Sequence, residues 1–258
     1  MDKFSKDFVI AISNHSDPET VLQGLPAYLL LMDSLANKES ASPQMIAATA
    51  RLYTAYASLF VEDKQRRQRL SGIALKYAEL ALCKVNENYC NITSKTFNEF
   101  ARQLTDYQFD NLQLVYTLGQ SWGLWIQANS ADWNAIAQLA QVKWIMKSII
   151  EKDETIDNGG AHVILGVINT LVPPAMGGKP ELAKSHFEKA LAITNSRNLS
   201  VKVALAENYA RLVFDQELHD KLLKEVLSAD PNQQGFVLVN KLAQLKARKL
   251  LATSPDYF

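Results

Sequence analysis

From Ser16 to Leu251 the apolar residues recur every three to four positions, and this period constrains the fold more than any other feature of the chain. Val21, Leu22, Leu25, Tyr28, Leu29, Met32, Leu35 and Ala36 form one such stripe, with a kink or restart expected at Pro26. Ser16-Asp17-Pro18-Glu19 ahead of it is a helix start: Asp caps, Pro suits the first turn, and Glu favours the positive end of the dipole. Ser42-Pro43 repeats the signal before Ile46, Ala50, Tyr53, Ala57 and Phe60. Asp63 or Glu62 opens the next helix, with Leu70, Ala74, Tyr77 or Ala78, and Ala81 inward. A short helix over 95–104 follows. Then come the stripes Leu112, Val115, Gly119, Trp122, Ile126 and Ala135, Leu139, Val142, Met146, Ile149. Further helices are predicted over 161–171, 180–194, 199–214, 217–227 and 236–251. Only Phe236-Val-Leu-Val and a few fragments could pass for strands.

Gly numbers 10 and Pro 8 in 258 residues. Both lie below the usual shares of about 7% and about 5% and cannot serve the tight turns of a β-barrel or sandwich. The reading is one all-α domain of about ten antiparallel helices joined by short connections. Residues 1–15 would be an N-terminal extension, 16–252 the helical array and 253–258 a tail. Lys+Arg is 27 and Asp+Glu is 27, so the formal charge is zero. A duplex nucleic acid or an anionic membrane needs a basic excess, and neither is expected as a partner. The basic run Lys64, Arg66, Arg67, Arg69 reads as a solvated face rather than a phosphate site. No apolar run approaches the roughly 18 residues of a membrane span.

The helices repeat. A tetratricopeptide unit places Leu-Gly and then an aromatic on its first helix, and Ala-x3-Phe-x2-Ala on its second. Small residues sit where two helix axes approach, and the aromatic fills the space beside them. Leu165-Gly166 with Ala183-x3-Phe187-x2-Ala190 fits, after an insertion at Val172–Pro180. Leu118-Gly119-x2-Trp122 with Ala135-x3-Leu139-x2-Val142 is a weaker copy. Leu205-Ala206-x2-Tyr209 with Leu218-x3-Leu222 is a third, closed by Ala229-Asp230-Pro231. Leu52-Tyr53-x2-Tyr56 with Ala74-x3-Ala78-x2-Ala81 is a fourth. The fold class expected is therefore an all-α, tetratricopeptide-like array.

Several motifs could carry chemistry. Gly119-Gln-Ser121-Trp-Gly123 matches the G-x-S-x-G nucleophile elbow, with His162, His186 and His219 downstream. That serine-hydrolase reading needs a strand–turn–helix context within an α/β sheet, which the helical period does not supply. His162 and His186 lie on the two helices of one repeat and can approach each other, as a packed polar pair rather than a metal site. No catalytic residue, metal or cofactor is expected. Gly159-Gly160 and Gly177-Gly178 read as loop positions with positive φ. Cys83 and Cys90 are either free thiols or one disulfide closing a short loop. Asn91-Ile-Thr93 and Asn198-Leu-Ser200 match the glycosylation sequon, a pattern frequent by chance. Trp122, Trp125, Trp133 and Trp144 cluster in one stretch, as packing or as the lining of an apolar cleft.

The order of these features resembles the T component associated with TRAP transporters, the tripartite ATP-independent periplasmic importers. The resemblance runs from about Ser13 to Leu251. It rests most on Gly160-Ala-His-x2-Leu-Gly166, Pro173-Pro174, Gly177-Gly-Lys-Pro-Glu-Leu-Ala183 and His186-Phe187-Glu-Lys-Ala190. Asp17-Pro-Glu-Thr-Val-Leu22, Trp122-x2-Trp125 and Asn240-x2-Ala243-x3-Ala247 add to it. The resemblance implies a non-enzymatic periplasmic lipoprotein. It further implies partnership with the solute-binding P component, self-association as a homotrimer, and a pore or cleft reaching the ligand. Met1 to Ser5 carries no signal segment and no lipobox cysteine, so the lipid anchor would belong to a longer precursor. The expected ligand is a small hydrophobic or carboxylate-bearing solute. Its cleft is placed against Trp122, Trp125 and His162 on first helices of their repeats, with Gly177, Gly178 and Lys179 at the mouth. The alternatives are a serine hydrolase built on Ser121 and a tetratricopeptide adaptor for peptides.

Overall fold

The computed structural model describes residues 3–106 and 111–258, and the side chains of all these except 3–6 and 106. Among the described residues every regular element is a helix and there is no strand, so the fold is all-α. Phe236-Val-Leu-Val, the best strand candidate, instead starts a helix that runs Val237–Ala252. The chain divides into two compact units: Leu22–Lys152, and Met1–Val21 with Asp153–Phe258.

Helix α1 (Lys3–Ser13) occupies the segment expected as an extension, and α2 (Pro18–Ala36) follows. Asp17 receives hydrogen bonds from the backbone N–H groups of Glu19 and Thr20 at the start of α2. Pro26 does not restart the helix, which continues through it. The Leu22–Lys152 unit is built on α3 (Pro43–Leu59), α4 (Lys64–Cys83), α5 (Phe97–Asp106), α6 (Leu112–Ala128), α7 (Trp133–Ile136) and α8 (Leu139–Lys152). Ser42 caps α3 and Asp63 caps α4, each side chain accepting from a backbone N–H three residues on. The basic run turns back on its own start. The Arg67 guanidinium donates to the Val61 carbonyl, and that of Arg66 to the Tyr56 hydroxyl. α3 packs on α4, α4 on α6, and α6 on α8. Phe100, Leu118, Trp122, Ile126, Ile145 and Met146 are fully buried there.

In the other unit α9 (Ile156–Thr170) pairs with α10 (Pro180–Ile193). α11 (Leu199–Ala204) passes directly into a π-helical segment, Leu205–Ala210, where an unbroken α-helix was expected. α12 (Gln216–Ser228), α13 (Val237–Ala252) and α14 (Ser254–Tyr257) complete it. Ala183, Phe187, Ala190, Ala206 and Leu223 form a closed core. Gly166 is what lets α9 and α10 approach: a Cβ there would stand 2.6 Å from the Phe187 ring. This is the small-against-aromatic contact that the repeat pattern predicts. Gly119 plays the same part in α6, but its neighbours are Ile145 and Met146 of α8, not the predicted Ala135 and Leu139.

Candidate functional site

The predicted cleft residues fall in both units, and each set is described within its own. Trp122 is fully buried on α6. Its indole N–H donates to Gln138 Oε1 at 2.7 Å, and its ring meets Phe100 edge-on at 5.7 Å. A buried indole with its one donor satisfied is a packing residue. Trp125, one helical turn on, is half-buried. Gly72 of α4 leaves room beside it, since a Cβ there would lie 3.9 Å from the Trp125 ring. Trp144 packs against Phe100, and Trp133 is exposed.

Ser121 lies inside α6, fully buried, with its hydroxyl 2.9 Å from that of Thr54. A nucleophile elbow needs a sharp strand-to-helix turn that exposes the serine. Gly119 and Gly123 here are consecutive turns of one helix, so the motif match carries no such geometry.

In the other unit the insertion forms a short 3-10 turn, Pro174–Met176, between α9 and α10. Gly177 takes φ 92° and faces open space. Gly178 differs from expectation: its φ is not positive, and glycine is required because a Cβ would run into the Val172 carbonyl oxygen. The Lys179 backbone N–H donates to the Asn169 carbonyl at 2.9 Å, which fixes the loop while its side chain stays exposed. Gly159 takes the expected positive φ of 79°, but Gly160 does not.

His162 is fully buried on α9 and lies Nδ1 to Nδ1 at 2.9 Å from His186 of α10. Its Nε2 has no hydrogen-bond partner, and the nearest carboxylate, Glu154 Oε1, stands at 3.8 Å. Burial pushes its pKa below the usual histidine value; the Lys189 charge adds to this and Glu154 opposes it. Just before it, Asp157 and Asn158 join Gly159 in the left-handed region, with φ 48° and 56°. Each non-glycine residue there costs on the order of 1 kcal/mol.

Two further polar clusters had no sequence signal beyond the residue types. Asp33 accepts from the hydroxyls of Tyr53 and Tyr77, at 2.6 and 2.9 Å. Burial and that carboxylate hold both phenols protonated, with pKa values raised above the ordinary tyrosine range. His219 is buried on α12, with Nδ1 2.8 Å from Asp220 Oδ1, and the Ser254 hydroxyl donates to the same oxygen. The serine faces the carboxylate rather than His219 Nε2, so the three do not form a nucleophile–base pair. A groove of about 780 Å³ runs along α12 past Asp220, Lys221, Lys224 and Glu225, and none of the predicted site residues lines it. Cys83 and Cys90 are joined by a disulfide, with Cα atoms 4.4 Å apart. The Glu87–Tyr89 turn brings the second cysteine back to the end of α4. Among the described residues no helix is long and apolar enough to cross a membrane, and no cluster of three or more His, Cys, Asp or Glu could hold a metal.

No curated protein matches the chain in sequence. The family model for the TRAP transporter T-component matches residues 14–258, nearly the whole chain. It spans α2 to α14, the His162 and His186 pair, and the Pro173–Lys179 loop. The chain therefore belongs to the TRAP transporter T-component family.

Proposed function

We propose that this chain is a non-enzymatic scaffold and ligand conduit for the solute-binding P component of a TRAP transporter. The family match over residues 14–258 carries the reading. The family is a transporter component rather than an enzyme family, and membership implies association with other components of such a transporter. The protein works in the periplasm as a homotrimer, held to the membrane by a lipid anchor. Each unit is a stack of tetratricopeptide-like helix pairs. The burial of Gly166 against Phe187, and of Tyr53 and Tyr56 on a helix packed against Ala74, Ala78 and Ala81, supports that arrangement.

The solute is small and hydrophobic, with or without a carboxylate. Of the tryptophans expected to line its path, Trp125 is the one for contact, because its ring is half-buried while Trp122 is committed to Gln138 and Phe100. In the Asp153–Phe258 unit, as a contact separate from Trp125, Lys179 offers a cation to a carboxylate, on a loop shaped by Gly177 and Gly178. His162 belongs to the same unit as Lys179, where its buried ring meets His186. Native mass spectrometry of protein purified from its own host tests this reading. A trimer mass with a co-purifying small molecule, lost in Trp125→Ala, is the expected result. A bare monomer, or full retention of the molecule in a folded Trp125→Ala protein, would contradict it.

A further inference from the structure

We propose that the His162 and His186 pair is a proton-operated latch, which fastens α9 to α10 at neutral pH and releases the left-handed turn Asp157–Gly159 when both rings are charged. The inference goes beyond the transport role and does not depend on it. Two imidazoles joined Nδ1 to Nδ1 at 2.9 Å can hold one proton between them and not two. One ring must donate and the other accept.

The surroundings fix which does which. His162 Nε2 is buried, lacks a hydrogen-bond partner and faces the Glu154 carboxylate at 3.8 Å. A lone pair aimed at that carboxylate would be repelled, whereas an N–H is attracted. His162 is therefore the Nε2–H tautomer and accepts at Nδ1, while His186 donates from Nδ1. A proton added to the half-buried His186 ring strengthens the shared bond by charging its donor. A second must land on His162 Nδ1. It then sets N–H against N–H and cation against cation inside the fold. Lys189 from α10 adds to this repulsion, and Glu154 ahead of α9 offsets part of it. Toward α11 and the π-helical segment α9 presents Val163 and Val167, which pack on the apolar core. The pair sits one turn after three consecutive left-handed residues, two of them without glycine's freedom. Such a turn persists only while its surroundings hold it: Gly159 packs on Ala190 and Ile193 of α10, and the latch adds a polar tie to the same helix one turn on.

Hydrogen exchange of the full chain between about pH 8 and about pH 5 tests the latch. After correction for intrinsic rates, residues 154–166 should lose about tenfold more protection at the lower pH than α12 or α13 does. In His186→Asn the amide nitrogen replaces the donor, and the amide can turn its oxygen toward a charged His162. The selective loss should therefore disappear. Equal protection of residues 154–166 at both pH values, or the same loss in His186→Asn, would overturn the proposal. Nitrogen-15 spectra of the unmodified protein at about pH 8 give a second reading that needs no variant. They should show one Nδ1–H and one Nε2–H tautomer, with Nε2–H on His162. The reverse assignment, or two identical tautomers, would refute it.

Discussion

Gly166 and Phe187 set the distance between α9 and α10 atom by atom. Phe187 is fully buried, so it has nowhere to move when a methyl group arrives 2.6 Å from its ring. Gly166→Ala should lower stability by about 1–3 kcal/mol in urea unfolding, the usual cost of overpacking a filled core. Gly24 is the control: it lies on α2 with nothing near its missing Cβ. Gly24→Ala should raise stability by up to about 1 kcal/mol, because alanine loses less backbone freedom in a helix. His162 makes a prediction with a definite sign. The unfolded chain takes up its proton near 6.5, whereas the buried ring does so only at lower pH. Between those values the unfolded state holds more protons. The histidine's contribution is complete above about 6.5 and is lost as pH falls through the folded value. Urea midpoints measured across that range should slope in the native protein and flatten in His162→Gln. At this scale the sequence was legible where a residue type has one use, as with Gly166 opposite Phe187. It was not legible at Gly178, whose need comes from the Val172 carbonyl of a returning chain rather than from a turn.

Among elements, α13 holds the start of α11 through one side chain. Asn240 is fully buried; its Oδ1 accepts from the Leu199 backbone N–H at 2.8 Å, and its Nδ2 donates to the Arg197 carbonyl at 2.9 Å. Replacing it leaves a buried donor and acceptor without partners, each at about 1–3 kcal/mol. Asn240→Leu should therefore cost at least about 2 kcal/mol in thermal or urea unfolding, and Asn240→Asp at neutral pH should cost at least as much, because it sets a buried carboxylate against the Arg197 and Pro231 carbonyls. The disulfide ties α4 to the turn after it. Cys83→Ser with Cys90→Ser should lose about 2–3 kcal/mol by the loop-entropy relation, read as a lower urea midpoint matched by the reduced native protein. Spacing left those cysteines open between thiols and a bridge, because only the intervening turn decides whether their Cα atoms meet. The second repeat copy misleads for a related reason. Asp132 does open a helix, but α7 ends at Ile136, and Gly119 finds Ile145 and Met146 on the helix after it. A small residue announces that something packs there without saying what. The π-helical segment and the left-handed turn inside the start of α9 have no period of their own, so apolar spacing passes over them.

For the whole molecule, helical period and low glycine and proline content were enough to specify an all-α chain, and the structure is all-α. The transport role was legible only through family resemblance, which rests on the order of motifs along the chain rather than on any one site. Ser121 illustrates this: its motif invites an enzyme reading, yet it is a buried hydroxyl paired with Thr54. A fluorophosphonate probe should leave the folded protein unlabelled, with labelling that vanishes in Ser121→Ala as the contrary result. The central claim is partnership with a solute-binding P component. Isothermal titration of this chain with the P component from its own host tests it most directly. The account predicts saturable binding with a fixed stoichiometry, and it is contradicted if the two folded proteins show no heat and no co-elution at about 100 μM each, well above a micromolar dissociation constant.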